Sequence, residues 1–207
     1  MRYRLVILDY DGTLANSLPW FLAALGPVAE RHGLRRVAPE EVPALRALGS
    51  REVLRSLRVP LWKVPAIARE MRALKAQAAG EIGLFPGIAE ALAGLAAAGL
   101  RLAIVSSDGE ASIRQGLGPA AALIGHYGCG AGLFGKAPLL RRAVQAAGVT
   151  RAEAIYVGDE SRDAEAAAKA GIAFGAVAWG YAAPEVLRAA GPVAWFEEPG
   201  ELLRLAG

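Results

Sequence analysis

Arg4 to Thr13 reads RLVILDYDGT, and no other stretch narrows the possible folds as much. Four apolar residues, Leu5, Val6, Ile7 and Leu8, run without a polar break into two aspartates one residue apart. A run this short, apolar at every position, predicts a strand buried on both faces, as in a parallel sheet. Asp9 and Asp11 then stand at its carboxyl end, where open α/β sheets bind ligands in the crevice at which the strand order reverses. Gly12 permits a sharp turn that aims backbone amides at whatever the carboxylates hold. Two carboxylates at one spot need a counter-ion or a shared proton, and Mg2+ is the candidate. The alternative is a strand closed by an ordinary Asp-Gly turn.

The remaining aspartates favour the first reading. The chain has five Asp against fifteen Glu, and every Asp follows an apolar, strand-like run. Asp9 and Asp11 follow LVIL, Asp108 follows LAIVSS, and Asp159 and Asp163 follow AIYVG. Surface acids would not be confined to three strand ends. Asp159 and Asp163 are four residues apart, so on a helix they point the same way. A helix-capping role would account for one of them.

Four blocks in order, DYDGT at Asp9 to Thr13, VSSD at Val105 to Asp108, Lys136 within FGKAP, and VGDESRD at Val157 to Asp163, resemble the haloacid dehalogenase-like hydrolases. Within that family they resemble phosphatases of the phosphoglycolate phosphatase type. The resemblance spans nearly the whole chain. It implies a doubly wound, mostly parallel Rossmann-like α/β sheet with an inserted helical cap.

Composition suits that fold. Hydrophobic residues make up 54%, largely Ala and Leu, without the aromatic or β-branched richness of an all-β protein. No export or membrane signal is expected, because Arg2 and Arg4 precede an apolar run far too short for a signal peptide and charge follows it at once. The long uncharged stretch from Gln115 to Gly135 holds seven glycines and Pro119, which makes a poor spanning helix. Cys129, the single cysteine, leaves no internal disulfide and fits a reducing cytoplasm.

Along the chain, helical spacing is expected from Ser17 to His32, near Pro39, from Ser50 to Leu57, and from Pro65 to near Gly80. No second strand of the sheet is expected before Leu102. Residues 16–83 are therefore read as a helical cap inserted into a core of residues 1–15 and 84–207. The cap holds eleven Arg and Lys against six Glu, a basic surface over an acidic floor that would draw in an anionic substrate. Arg69, Arg72 and Lys75 are read as a solvated helix face. Arg51 lies in LGSREVL, which resembles the family's substrate-contacting cap loop; a first-turn surface arginine is the equal alternative. GAGLFG (Gly130 to Gly135) and GAGLFGKA (Gly130 to Ala137) imitate dinucleotide and P-loop motifs, but Ala137 replaces the required Ser or Thr and no acid stands where a ribose would need one. Further strands are expected at Ala154 to Val157, Ala173 to Ala178 and, at an edge, Val193 to Phe196. Trp179, Trp195 and Cys129 are assigned to packing, and His32 and His126 are too isolated to pair.

The resemblance implies roles. Asp9 is the nucleophile, Asp11 the general acid and base, and Mg2+ is held by Asp9, the Asp11 carbonyl and Asp159. Ser106 and Lys136 hold the phosphoryl group with help from the amides of Gly12 and Ser107, and Asp163 orients Lys136 or a metal water. The implied partner is a small phosphate ester, with no nucleic acid and no membrane, for a cytoplasmic monomer or homodimer. A sugar phosphomutase is the alternative on the same fold, although Thr13 after Asp-Gly looks more like the phosphatases. A dehalogenase would lack the second aspartate, present here as Asp11. A phospho-receiver module gathers similar groups but is shorter and lacks the helical insertion.

Overall fold

In a computed structural model, which describes residues 3–131 and 135–207, Leu5–Leu8 forms β1 and is buried throughout. It pairs in parallel with β2 (Arg101–Val105) on one side and β4 (Ala154–Gly158) on the other. With β3 (Ile124–Gly128), β5 (Ala173–Val177) and β6 (Ala194–Phe196) these make a six-stranded parallel sheet, ordered β3-β2-β1-β4-β5-β6. The order runs outward from β1 in one direction and then from β4 in the other, so the switch point lies between them.

Alternation along β1 feeds two apolar layers. Val6 and Leu8 pack with Ile104, Ile155 and Val157 under Ile88, Leu92 and Leu95 of α5 (Ile88–Ala97) and Ile113 of α6 (Glu110–Leu117). Leu5 and Ile7 pack on the other face with Val105 and Tyr156 under Leu140 and Val144 of α7 (Lys136–Ala146) and Ala167 and Ala170 of α8 (Ser161–Ala170). A short α9 (Pro184–Ala189) precedes β6, the edge strand expected from the sequence. The strand β3 was not expected. IGHYG carries two glycines and a single β-branched residue, so its local pattern is weak, and only pairing with β2 makes it a strand.

Four helices, α1 (Leu18–Arg31), α2 (Val42–Arg46), α3 (Ser50–Ser56) and α4 (Val64–Gln77), stand between β1 and α5. Chain entry and exit lie side by side: the Asn16 N–H donates to the Gly83 carbonyl at 2.9 Å, and Ala15 bridges Leu84. α1 and α4 are joined through Glu70, which accepts from Arg31 at 2.5 Å and bonds the His32 ring at 2.7 Å. His32 is thus committed to structure. No helix among the described residues is long and apolar enough to cross a membrane.

Candidate active site

The end of β1 is pinned by a hydrogen bond from the Asp9 N–H to the Val157 carbonyl at 2.9 Å. The chain then folds back, with the Leu14 and Ala15 N–H groups donating to the Tyr10 carbonyl and the Gly12 N–H to the Ala15 carbonyl. Gly12 has φ +72°, and a Cβ there would lie 2.1 Å from Asp159 Oδ2, so both conformation and space demand glycine. The Asp9 carboxylate accepts from the Tyr10 N–H at 2.8 Å with one oxygen and from Lys136 Nζ at 2.6 Å with the other.

Beyond β4, Asp159 Oδ1 accepts from the Thr13 hydroxyl and Oδ2 from the Tyr181 N–H, both at 2.8 Å. Gly180 gives Asp159 its room, since a Cβ there would fall 2.1 Å from the Asp159 Cβ. Asp163, in the first turn of α8, does two things. Oδ2 accepts the Glu160 N–H at 3.1 Å, capping the helix, and Oδ1 accepts from Lys136 Nζ at 2.7 Å and the Tyr156 hydroxyl at 3.1 Å. Lys136, opening α7, is therefore a buried bridge between Asp9 and Asp163.

Carboxylate oxygens of Asp9, Asp159 and Asp163 all lie within 4.8 Å of one another. This group joins two of the sequence-derived metal ligands to Asp163. The Asp11 carboxylate lies outside it. Burial pushes the Asp9 carboxyl up to about 7, against the opposing pull of Lys136. Burial, with Glu160, Asp163 and Asp9 nearby, holds Asp159 well above the usual carboxylate range. Burial acts on Asp163 too, but Lys136 and Arg162 outweigh it and bring the carboxyl below its ordinary value. Burial likewise opposes the charge of Lys136, and Asp163 and Asp9 overcome it, raising the ammonium. Lys136 pairs with two of these three buried carboxylates and leaves Asp159 without a cation in contact among the described residues, and the all-oxygen donors of the group fit a hard divalent cation.

Any cation bound there would carry a pH dependence. If it took Asp9 as a ligand it would have to displace the proton that Asp9 holds below about 7, so its affinity would fall about tenfold per pH unit below that point for each proton displaced. Without metal, the raised Asp9 contributes stability that is complete below its ordinary 3.8 and lost as pH rises through about 7. The Tm gained on adding Mg2+ in place of a chelator is expected to widen from pH 5 to pH 8; a gain independent of pH would exclude Asp9 as a ligand.

At the end of β2, Ser106 is buried, donates its N–H to the Gly128 carbonyl at 3.0 Å, and accepts the Asp108 N–H on its hydroxyl at 3.2 Å. Ser107 is half-buried beside it. Arg51 is exposed on the first turn of α3. The two glycine-rich motif imitations run through residues 132–134 and lie outside the described residues.

Lys75 departs from expectation. Arg69 and Arg72 are exposed as anticipated, but Lys75 is 7% exposed and forms ion pairs with both Asp11 and Asp108. A signal was available in the sequence: nineteen Arg stand against four Lys, and two of those four are buried in this region. Arg46 of α2 also went unnoticed. It donates to the Tyr181 and Gly180 carbonyls at 2.9 and 2.8 Å, gripping the loop whose N–H holds Asp159.

Fold and site together define a doubly wound α/β protein with an acidic, lysine-bridged centre at its switch point. The chain belongs to the haloacid dehalogenase-like hydrolases, whose family model matches residues 6–177. It is 32% identical over 204 residues to the phosphoglycolate phosphatase of Synechococcus elongatus, covering 96% of this chain and 95% of that one. It is 30% identical over 195 residues to the tyrosine-protein kinase PtkA of Mycobacterium tuberculosis, covering 86% of this chain and 63% of that one. Among solved structures, CbbY from Rhodobacter sphaeroides in complex with phosphate superposes with a TM-score of 0.70 at 26% identity, over 97% of this chain and 96% of that one. A haloacid dehalogenase-like hydrolase from Streptococcus pneumoniae shares the fold with a TM-score of 0.81 at 19% identity, over 98% of each chain.

Proposed function

We propose that the chain is a Mg2+-dependent phosphatase that hydrolyses a small phosphate monoester, phosphoglycolate-like or a sugar phosphate, through an aspartyl-phosphate on Asp9. The observation that carries this is the Asp9 carboxylate, held between the Tyr10 N–H and Lys136 Nζ inside the carboxylate group it forms with Asp159 and Asp163. The Synechococcus relative adds the class of ester.

Asp9 attacks phosphorus, and the ester oxygen leaves with a proton from Asp11. Asp11 then takes a proton from the water that cleaves the aspartyl-phosphate. Lys136, Ser106 and the amides of Gly12 and Ser107 hold the phosphoryl oxygens, and Asp163 keeps Lys136 in place. Asp9, the Asp11 carbonyl and Asp159 would hold Mg2+, with Asp163 beside them. Bound there, it neutralises charge on the phosphoryl group. Residues 16–83 act as a cap over the core of residues 1–15 and 84–207, excluding water and supplying contacts to the leaving group. Arg46 on the Gly180 and Tyr181 carbonyls and Lys75 on Asp11 support that division. Arg51 is a candidate substrate contact on the cap. A cytoplasmic setting, as a monomer or homodimer, completes the proposal.

Phosphate release from a panel of small esters, phosphoglycolate and sugar phosphates included, tests it. Release is expected to fall at least ~100-fold with a chelator and to return with Mg2+. Isomerisation of a sugar phosphate without release would point to a mutase, and no reaction with any ester would overturn the proposal.

A further inference from the structure

Both oxygens of the Asp159 carboxylate are engaged, Oδ1 by the Thr13 hydroxyl and Oδ2 by the Tyr181 N–H, each at 2.8 Å. Its main chain is held too, since the Asp159 carbonyl accepts the Ala182 N–H at 3.3 Å. The Trp179 indole N–H donates to the Thr13 carbonyl at 3.0 Å. Residues 179–183, which follow β5, therefore steady both donors that grip Asp159. They belong to no strand or helix, so their position depends on what holds them from outside. Arg46 of α2 does so with three hydrogen bonds. Its Nε donates to the Tyr181 carbonyl at 2.9 Å and its Nη2 to the Gly180 carbonyl at 2.8 Å. Its own carbonyl accepts the Ala183 N–H at 2.7 Å. Two successive carbonyls suit the rigid fork of a guanidinium, which a single ammonium cannot imitate. Among the described residues no carboxylate forms an ion pair with Arg46, so its donors serve this loop.

We propose that Arg46 is a positioning residue for Asp159 and that, by fixing the loop that clamps this carboxylate, it selects Mg2+ over Ca2+ at the acidic centre. This rests on the Mg2+ site proposed above. The two cations ask different things of a carboxylate. Mg2+ demands near-ideal octahedral geometry, whereas the larger Ca2+ accepts irregular shells and takes carboxylates through one oxygen or both. Asp159 is bonded at each oxygen, so turning it to face one ion with both oxygens strains those bonds. Clamped in this way it suits the stricter ion. Gly180 leaves the carboxylate no slack, because its backbone lies against the Asp159 Cβ. Freed from Arg46, the loop lets Asp159 swing, which costs Mg2+ its geometry and costs the tolerant Ca2+ little.

The test is the ratio of the two affinities, read without turnover. Metal-free protein is melted across a range of MgCl2 or CaCl2 at constant ionic strength, and each Kd is taken from the rise in Tm with concentration. Removing the guanidinium charge raises attraction for both divalent ions alike, so the ratio is blind to it. In Arg46→Met the preference for Mg2+ over Ca2+ is expected to fall about tenfold, the size of a lost partner behind a metal ligand. Arg46→Lys should keep part of that preference, because it retains one donor but not the fork. Equal weakening for both ions would show a merely structural role and overturn the proposal, as would an unmoved ratio or a wild type that prefers Ca2+. If Arg46→Met does not fold, Arg46→Lys decides, and a wild-type ratio there overturns the proposal. If neither ion raises the wild-type Tm, the Mg2+ site fails and this proposal with it. If Mg2+ raises the Tm but no ester releases phosphate, the phosphatase function fails while a fallen ratio still upholds the role of Arg46.

Discussion

Asp9→Asn is expected to abolish phosphate release, by at least ~10⁴-fold, and to leave the protein folded. An amide is no nucleophile towards phosphorus, yet it has the shape of the carboxylate, and its oxygen can still accept the Tyr10 N–H now bonded to Asp9. Lys136 keeps Asp163 as a partner. The substitution also removes a charge that burial disfavours, so the metal-free variant should melt no lower than the wild type at pH 8. Phosphate release, thermal melts and mass spectrometry for a phosphorylated aspartate check the three parts. Release at the wild-type rate from a well-folded Asp9→Asn protein would remove the site from β1 altogether.

Lys136→Met should cost both activity and stability. It takes away the cation between two buried carboxylates, and breaking a buried pair by removing one partner costs roughly 3–5 kcal/mol. For a chain of this size that is a fall in Tm of about 10 °C. The sign of the pH dependence distinguishes this cause from lost packing. The raised Lys136 contributes stability below its ordinary 10.5, so it acts in full at pH 8 in the wild type. In the variant, Asp9 and Asp163 can shed their unpaired charge only by taking protons, so the deficit in Tm should be larger at pH 8 than at pH 5. A deficit equal at both would show that the stem, not the charge, matters. Activity should fall about 10³-fold, as for loss of a donor aimed at developing charge.

Much of this site could be read from local pattern because its main parts follow directly from strands. LVIL and AIYVG are apolar throughout, so their burial and the positions of Asp9 and Asp159 are properties of a few adjacent residues. Asp163 lies in the first turn of a helix just beyond AIYVG, where capping leaves a local trace, whereas Lys136 opens α7 eight residues after the weak strand β3 and was marked only by the family resemblance of FGKAP. The strand β3 left almost none, since its glycines dilute the pattern and its partner β2 decides its state. Lys75 was obscured differently. Spaced three apart, Arg69, Arg72 and Lys75 look like one charged stripe, but at 100° per residue Lys75 sits about 120° around the helix from Arg69. Its partners are 64 and 33 residues away in sequence, so only the packing of α4 over the ends of β1 and β2 brings them together. The same holds for Arg46 and the loop at Gly180, separated by 134 residues.

The central place of β1 also bears on how the protein is made. Among the described strands β1 comes earliest in the sequence, and the two strands it pairs with begin only at Arg101 and Ala154. At cellular rates of synthesis the wait for β2 is on the order of ten seconds, and β4 follows several seconds later. During that interval the apolar run Leu5–Leu8 has no sheet to enter and is open to chaperones or to mispairing with another nascent chain. The segment carrying Asp9 is thus translated well before its neighbours and secured late, and a chain that stops short of β4 carries Asp9 without the strand that holds its backbone or the acids that share its pit.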